Sequence, residues 1–181
     1  TSRDFAVCEP ALDAAEAVGH AGSFDDLLQS HVRQWDHLWN RCDIRLENSD
    51  RPQMILRLHI FHLLQTVSRN SIDLDIGVPA RGWHGEAYRG HVFWDELFIF
   101  PYLNLRIPNL TRSLLLYRYR RLNRARLAAR EEGLKGALYP WQSGSNGREE
   151  TQQLHLNPKS GRWLPDHTHL QRHVNIAIAY N

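Results

Sequence analysis

The sequence predicts a mainly α fold in which paired amphipathic helices carry a site on long loops, as in helical toroids. Three observations lead there. Several stretches repeat apolar residues near a 3.6 period, as in the face made by Leu27, Leu28, Val32, Trp35, Leu38 and Trp39. Long Gly- and Trp-bearing segments separate these stretches, and loops of that length in a compact domain more often serve function than sit idle. Period-two alternation is confined to short pieces.

Residues 1–22 are small and Ala-rich and read as a linker with one short helix at ALDAAEAV. Ser23 and Asp26 form a capping-box pattern, with Asp in place of Glu, ahead of a helix over FDDLLQSHVRQWDHLWNR. CDIRLEN reads as a short strand or an extended link. Pro52 suits a first helical position. The following QMILRLHIFHLLQTVSRN places Met54, Leu58, Phe61 and Leu64 on one face, with His59 and His62 as satisfied core histidines. A long loop bearing Gly77, Gly82, Gly85 and Gly90 leads to a helix starting near Phe93, which Pro101 kinks or breaks. Pro108 and Asn109 start one long helix that Gly133 caps. A second long loop, LKGALYPWQSGSNGREETQ, precedes a hairpin in which LHLN and GRWLP flank a turn with Pro158 and Gly161. Asp166 or Thr168 then caps a final helix through Asn181.

The 181 residues are 42% hydrophobic and 23% charged with a net charge of +2, which suits one domain with a sizeable core and does not call for a polyanionic partner. Cys8 and Cys42 make no disulfide framework and read as reduced thiols of a cytoplasmic protein. No apolar run approaches ~18 residues and TSRDFAVCEP has no secretory h-region, so no membrane is expected. The chain lacks an initiator Met and reads as a piece of something longer.

Trp94-Asp95-Glu96 opens the apolar run WDELFIFPYL and has two readings. The carboxylates are charges favoured at a helix start, with Trp94 in the core. Alternatively, Trp94 offers an aromatic face and Asp95 an acceptor to a sugar. The preceding RGWHGEAYRGH holds Arg81, His84, Glu86, Arg89 and His91 but matches neither a phosphate loop nor a dinucleotide fingerprint. His169 and His173 have metal-ligand spacing on a helix, yet without the Glu of HExxH, and hydrogen-bonded or surface imidazoles fit better; no metal is expected. Arg118, Arg120, Arg121, Arg124, Arg126 and Arg130 read as a solvated helix face rather than a nucleic-acid surface. Glu149, Glu150 and Asp166 lie on loops or element ends, and each is either an exposed loop carboxylate or the protonated carboxyl that glycosidic chemistry needs.

Taken together, RGWHGEAYRGHVFWDELFIFPY, ALYPWQSGSNGREE and HVNIAIAYN resemble glycoside hydrolase family 65, which includes maltose, trehalose and kojibiose phosphorylases. TSRDFAVCEP, FDDLLQSHVRQWDHLWNRCDIRLE and LRLHIFHLLQT extend the resemblance over nearly the whole chain. It implies an (α/α)6 catalytic barrel, with residues 1–22 as an interdomain linker and 23–181 as the N-terminal half of that barrel. It implies inverting phosphorolysis of an α-linked glucose disaccharide to β-glucose 1-phosphate, with inorganic phosphate as co-substrate and no cofactor. Trp94 and Asp95 would hold glucose in the −1 subsite, with Arg89 and His91 shaping the same pocket. Trp141, Gln142 and Ser143 would face the +1 sugar.

One departure stands out. The family's general acid Glu falls just before the motif matched by His173-Val174-Asn175, where this chain reads Leu170-Gln171-Arg172. The amide of Gln171 has no proton to give at useful acidity. Either Asp166, Glu149 or Glu150 supplies the proton, or the protein is a sugar-binding or regulatory relative without activity. The residues that separate phosphorolysis from hydrolysis would lie in the other half of the barrel. Apolar faces left by a half-barrel predict a homo-oligomer.

Overall fold

The computed structural model of the chain describes residues 9–47, 50–72, 74–82 and 88–181. The chain divides into two compact units, Thr1–Leu64 and Gln65–Asn181.

The first unit is helical. Helix α1 spans Pro10–Gly19, α2 Phe24–Cys42 and α3 Asp50–Thr66. The capping box at α2 forms as its residues require: Ser23 Oγ accepts the Asp26 N–H at 3.2 Å, and Asp26 Oδ2 accepts the Ser23 N–H at 3.1 Å. Within CDIRLEN, Cys42 closes α2, Asn48 lies outside the described residues, and residues 43–46 are an extended link rather than a strand. The Gln53 amide reaches back to it, donating to the Ile44 carbonyl at 2.9 Å and accepting the Leu46 N–H at 2.6 Å. Arg57 grips Asp43 through two N–H groups at 2.9 and 2.6 Å. Trp35 meets Phe61 with ring centroids 4.9 Å apart, and Cys42 is fully buried. Two expectations need correction here. Helix α3 begins at Asp50, so Pro52 falls inside its first turn, where a missing N–H still costs nothing. His59 and His62 are exposed rather than core, because the buried stripe of α3 runs through Ile60 and Leu64. Cys8 lies outside the described residues.

The second unit carries helices α4 (Glu96–Arg106), α5 (Pro108–Arg120), α6 (Leu122–Glu131) and α7 (Val174–Tyr180). Its strands are β1 (Val92–Phe93), β2 (Gln142–Ser143), β3 (Leu154–Asn157) and β4 (Arg162–Pro165). Phe100, Leu103, Ile107, Leu110, Leu114 and Tyr117 are buried, and α4 packs against α5. Pro101 sits within α4 without ending it. The long helix expected from Pro108 to Gly133 instead breaks at Arg121, whose backbone leaves the helical range (φ −102°, ψ 10°). Gly133 adopts φ +70°, and the Leu134 N–H returns to the Ala129 carbonyl at 2.8 Å, closing α6 as a glycine C-cap does.

Strand β1 pairs antiparallel with β2 in the register Val92↔Ser143 and Phe93↔Gln142, which joins the two long loops. The expected hairpin forms from β3 and β4, with Gly161 at φ +66° in its turn. The last helix starts at Val174, later than expected. Asp166 and Thr168 instead organise a 3-10 turn over Thr168–Leu170, with Asp166 Oδ1 accepting the Thr168 N–H at 2.9 Å. His169 and His173 therefore do not share a helix. Among the described residues no helix is long and apolar enough to cross a membrane, and no group of three His, Cys, Asp or Glu could hold a metal ion.

Candidate active site

A cleft of about 620 Å³ opens in the second unit, with Arg89, Trp94, Asp95, Trp141, Gln142 and Asp166 in its walls. Pairing of β1 with β2 creates it. The first strand hands over directly to Trp94 and Asp95 at the start of α4, and the second carries Gln142 just after Trp141. The two indoles consequently stack, with centroids 4.4 Å apart and planes 27° apart. His173 stands edge-on to both, at 4.9 and 5.1 Å.

A left-handed turn forms one lip. Tyr88, Arg89 and Gly90 have φ of 55°, 56° and 66°, a conformation that non-glycine residues seldom adopt. Surrounding groups hold it there. The Gln142 side-chain amide donates to the Tyr88 carbonyl at 3.2 Å and meets His91 Nδ1 at 2.9 Å. Arg89 Nη2 donates to the Glu150 carbonyl at 2.8 Å, and the Tyr88 ring stacks on Phe93 at 4.3 Å. His84 and Glu86 lie outside the described residues.

The two carboxylates at the head of α4 have opposite environments. Asp95 Oδ2 is buried with no hydrogen-bond partner among the described residues, and burial pushes its carboxyl above the ordinary value. A buried unpaired acceptor beside an aromatic stack is suited to a hydroxyl-rich ligand. Glu96 is 2% exposed, and both of its oxygens are committed. Oε1 accepts Arg118 Nε at 3.1 Å and Nη2 at 2.9 Å, while Oε2 accepts the Val78 N–H at 3.0 Å. Burial raises the Glu96 carboxyl, and the Arg118 guanidinium opposes that rise.

The candidate acids also separate. Glu149 accepts the N–H groups of Trp141 at 2.7 Å, Gln142 at 3.2 Å and Thr151 at 3.1 Å, so its oxygens are occupied in shaping their own loop. Asp166 lies in the cleft wall. The Thr168 hydroxyl and N–H both donate to it and hold it below the usual carboxylate range, with His155 Nδ1 3.9 Å away. It is therefore ionised at neutral pH and suited to accept rather than donate a proton. Glu150 is half-buried. Gln171 is exposed and stands outside the cleft lining, as do the half-buried His91 and the buried Ser143.

Sequence patterning missed Tyr117 and Arg118. The arginine run was read as a solvated face, but Arg118 is 2% exposed. Its place four residues after Leu114, on the buried face of α5, was the available signal.

Residues 57–181 match the model of the glycosyl hydrolase family 65 central catalytic domain. An uncharacterized glycosyl hydrolase of Mycobacterium tuberculosis is 56% identical over 181 residues, which are 100% of this chain and 14% of that one. The trehalose 6-phosphate phosphorylase of Lactococcus lactis is 42% identical over 163 residues, 89% of this chain and 21% of that one. A kojibiose hydrolase of Flavobacterium johnsoniae is 36% identical over 126 residues, 69% of this chain and 18% of that one. A solved structure from the human microbiome, provisionally named a kojibiose phosphorylase, superposes with a TM-score of 0.67 at 26% identity, covering 80% of this chain and 22% of that one. The chain thus spans about a fifth or less of the length of these curated relatives.

Proposed function

Because this chain belongs to glycosyl hydrolase family 65, we propose that the whole protein cleaves an α-linked glucose disaccharide by inverting phosphorolysis, releasing β-glucose 1-phosphate. The observation that carries this reading is the buried Asp95 Oδ2, unpartnered among the described residues, beside the Trp94–Trp141 stack. A sugar hydroxyl donated to that oxygen would pair it, while the indoles cover the C–H face of the ring. Arg89 shapes the same pocket and Trp141 and Gln142 serve the neighbouring sugar, while His91 and the buried Ser143, which stand outside the lining, act through Gln142 and Tyr117. A carboxylic acid protonates the bridging oxygen while inorganic phosphate attacks C1 from the opposite face. No metal or organic cofactor takes part. Of the three candidate acids, Asp166 lines the cleft but is held ionised by Thr168, Glu149 is occupied by amides, and both Glu149 and Glu150 stand outside the lining. On this reading the protein acts in the cytoplasm as a homo-oligomer.

The relatives' names put kojibiose and trehalose 6-phosphate among the substrates to try. Hydrolysis of the same bond is the second reading, supported by the similarity to a kojibiose hydrolase. A third reading, sugar binding without turnover, is supported by Gln171 at the expected acid position. A screen of the full-length protein against maltose, trehalose, kojibiose and trehalose 6-phosphate, with and without phosphate, separates all three. Phosphate-dependent release of glucose 1-phosphate is expected. Glucose release without phosphate would replace phosphorolysis by hydrolysis. Binding with no product, together with activity appearing in Gln171→Glu, would establish a binder.

A further inference from the structure

We propose that Tyr117 and Arg118, two adjacent residues of α5 that do not line the cleft, set the spacing between its aromatic walls and so act as positioning residues. Neighbouring residues on an α-helix project about 100° apart, so one helix can hold two different structures at once. Here both side chains are 2% exposed and each grips a different wall. Arg118 binds Glu96, the residue directly after Asp95, through Nε and Nη2. The Tyr117 hydroxyl meets the Oγ of Ser143, the residue directly after Gln142, at 2.8 Å and donates to the Gly144 carbonyl. The first grip fixes the wall of Trp94 and Asp95; the second fixes the wall of Trp141 and Gln142.

The walls gain from such a spacer because the strand pairing between them is two residue pairs long, and a two-stranded pairing that short is marginal by itself. The spacer is itself stiffened. The Arg121 guanidinium covers the Tyr117 ring at 3.7 Å from its centroid, and Glu96 is anchored on its far side by the Val78 N–H. Both tyrosine and arginine carry flat, rigid ends, so the separation they hold is well defined. The result is read directly in the 4.4 Å Trp94–Trp141 stack.

The test uses the full-length protein and two independent readouts. Closely stacked indoles give an exciton couplet in far-ultraviolet circular dichroism, and loss of that couplet in Trp94→Phe and in Trp141→Phe assigns it to this pair. Tyr117→Phe keeps the ring and removes only the hydroxyl. Its couplet should fall to less than half, and KM for the disaccharide should rise about tenfold with kcat within twofold of the parent. Ser143→Ala, which removes the same hydrogen bond from the other end, should reproduce the loss of the couplet and serves as the measurement where Tyr117→Phe does not fold. A lowered unfolding temperature with couplet and KM unchanged would show a merely structural role and overturn the proposal. The kinetic arm rests on the sugar reading of the cleft, but the couplet does not. Absence of any sugar turnover would sink that reading and leave the couplet to decide the spacing role.

Discussion

Replacing Arg118 by Met tests the buried pair at the head of α4. The exchange keeps most of the side-chain length and removes the charge. Arg118 and Glu96 are each 2% exposed, so Glu96 would be left as a buried carboxylate with its Oε1 stripped of both N–H donors. Breaking a buried pair on one side costs about 3–5 kcal/mol. That loss should appear as a lowered unfolding temperature. The double change Glu96→Gln with Arg118→Met gives the contrast. The Gln carbonyl can still accept the Val78 N–H, and no charge remains buried. Because buried pairs seldom stabilise beyond a neutral equivalent, the double variant should lie within about 1–2 kcal/mol of the parent. Thermal unfolding of the full-length parent, the two single variants Arg118→Met and Glu96→Gln and the double variant, followed by tryptophan fluorescence, supplies the cycle. A loss below about 1 kcal/mol in Arg118→Met, or a double variant less stable than either single one, would refute the reasoning.

Asp95→Ala should weaken sugar binding roughly ten- to hundred-fold by calorimetry, as expected for a lost hydrogen bond to a charged acceptor. The same change should raise the unfolding temperature at neutral pH. The Asp95 carboxyl is raised in the fold, so its ionisation opposes folding above the ordinary Asp range, and the gain should vanish below about pH 4. Asp166→Asn should act with the opposite sign. Its carboxyl is lowered by Thr168, so its contribution is present above the ordinary Asp value and lost as pH falls through the lowered one. A loss of about 1 kcal/mol near pH 7 should therefore close in acid. Gly77→Ala should cost about 1–3 kcal/mol by denaturant unfolding, because a Cβ there would lie 2.6 Å from both Val92 methyl carbons and 3.0 Å from Glu96 Oε2.

Features written in consecutive residues were legible before the structure. The Ser23–Asp26 cap, the Gly133 stop and the β3–β4 hairpin each depend on residues a few positions apart, and each forms. The break at Arg121 was not legible, because what holds it is remote: Asp75 takes the guanidinium at 2.8 Å through each of two nitrogens, and the Ser145 carbonyl accepts from Nε at 2.9 Å. Pairing of β1 with β2 joins residues about fifty positions apart through only two registers, too short to leave a period in either loop. Trp94 and Asp95 were legible as a pair at a helix start, but their opposite wall, and the difference between Asp95 and Glu96, required the partners that Arg118 and Val78 supply.

Arg121 belongs at once to three stretches of chain far apart in sequence. Its guanidinium bonds to Asp75 and to the Ser145 and Tyr117 carbonyls, and it lies against the Tyr117 ring. Gly147 must stay bare because a Cβ would come within 2.8 Å of the Arg121 side chain. A lysine there would offer one point charge where a flat fork is used, and no change in any one neighbour could restore the others. The Asp75 carboxylate, the Tyr117 ring and the bare Gly147 all answer to this one side chain, so change in the loop that shapes one side of the cleft is limited by a residue that stands outside the cleft lining.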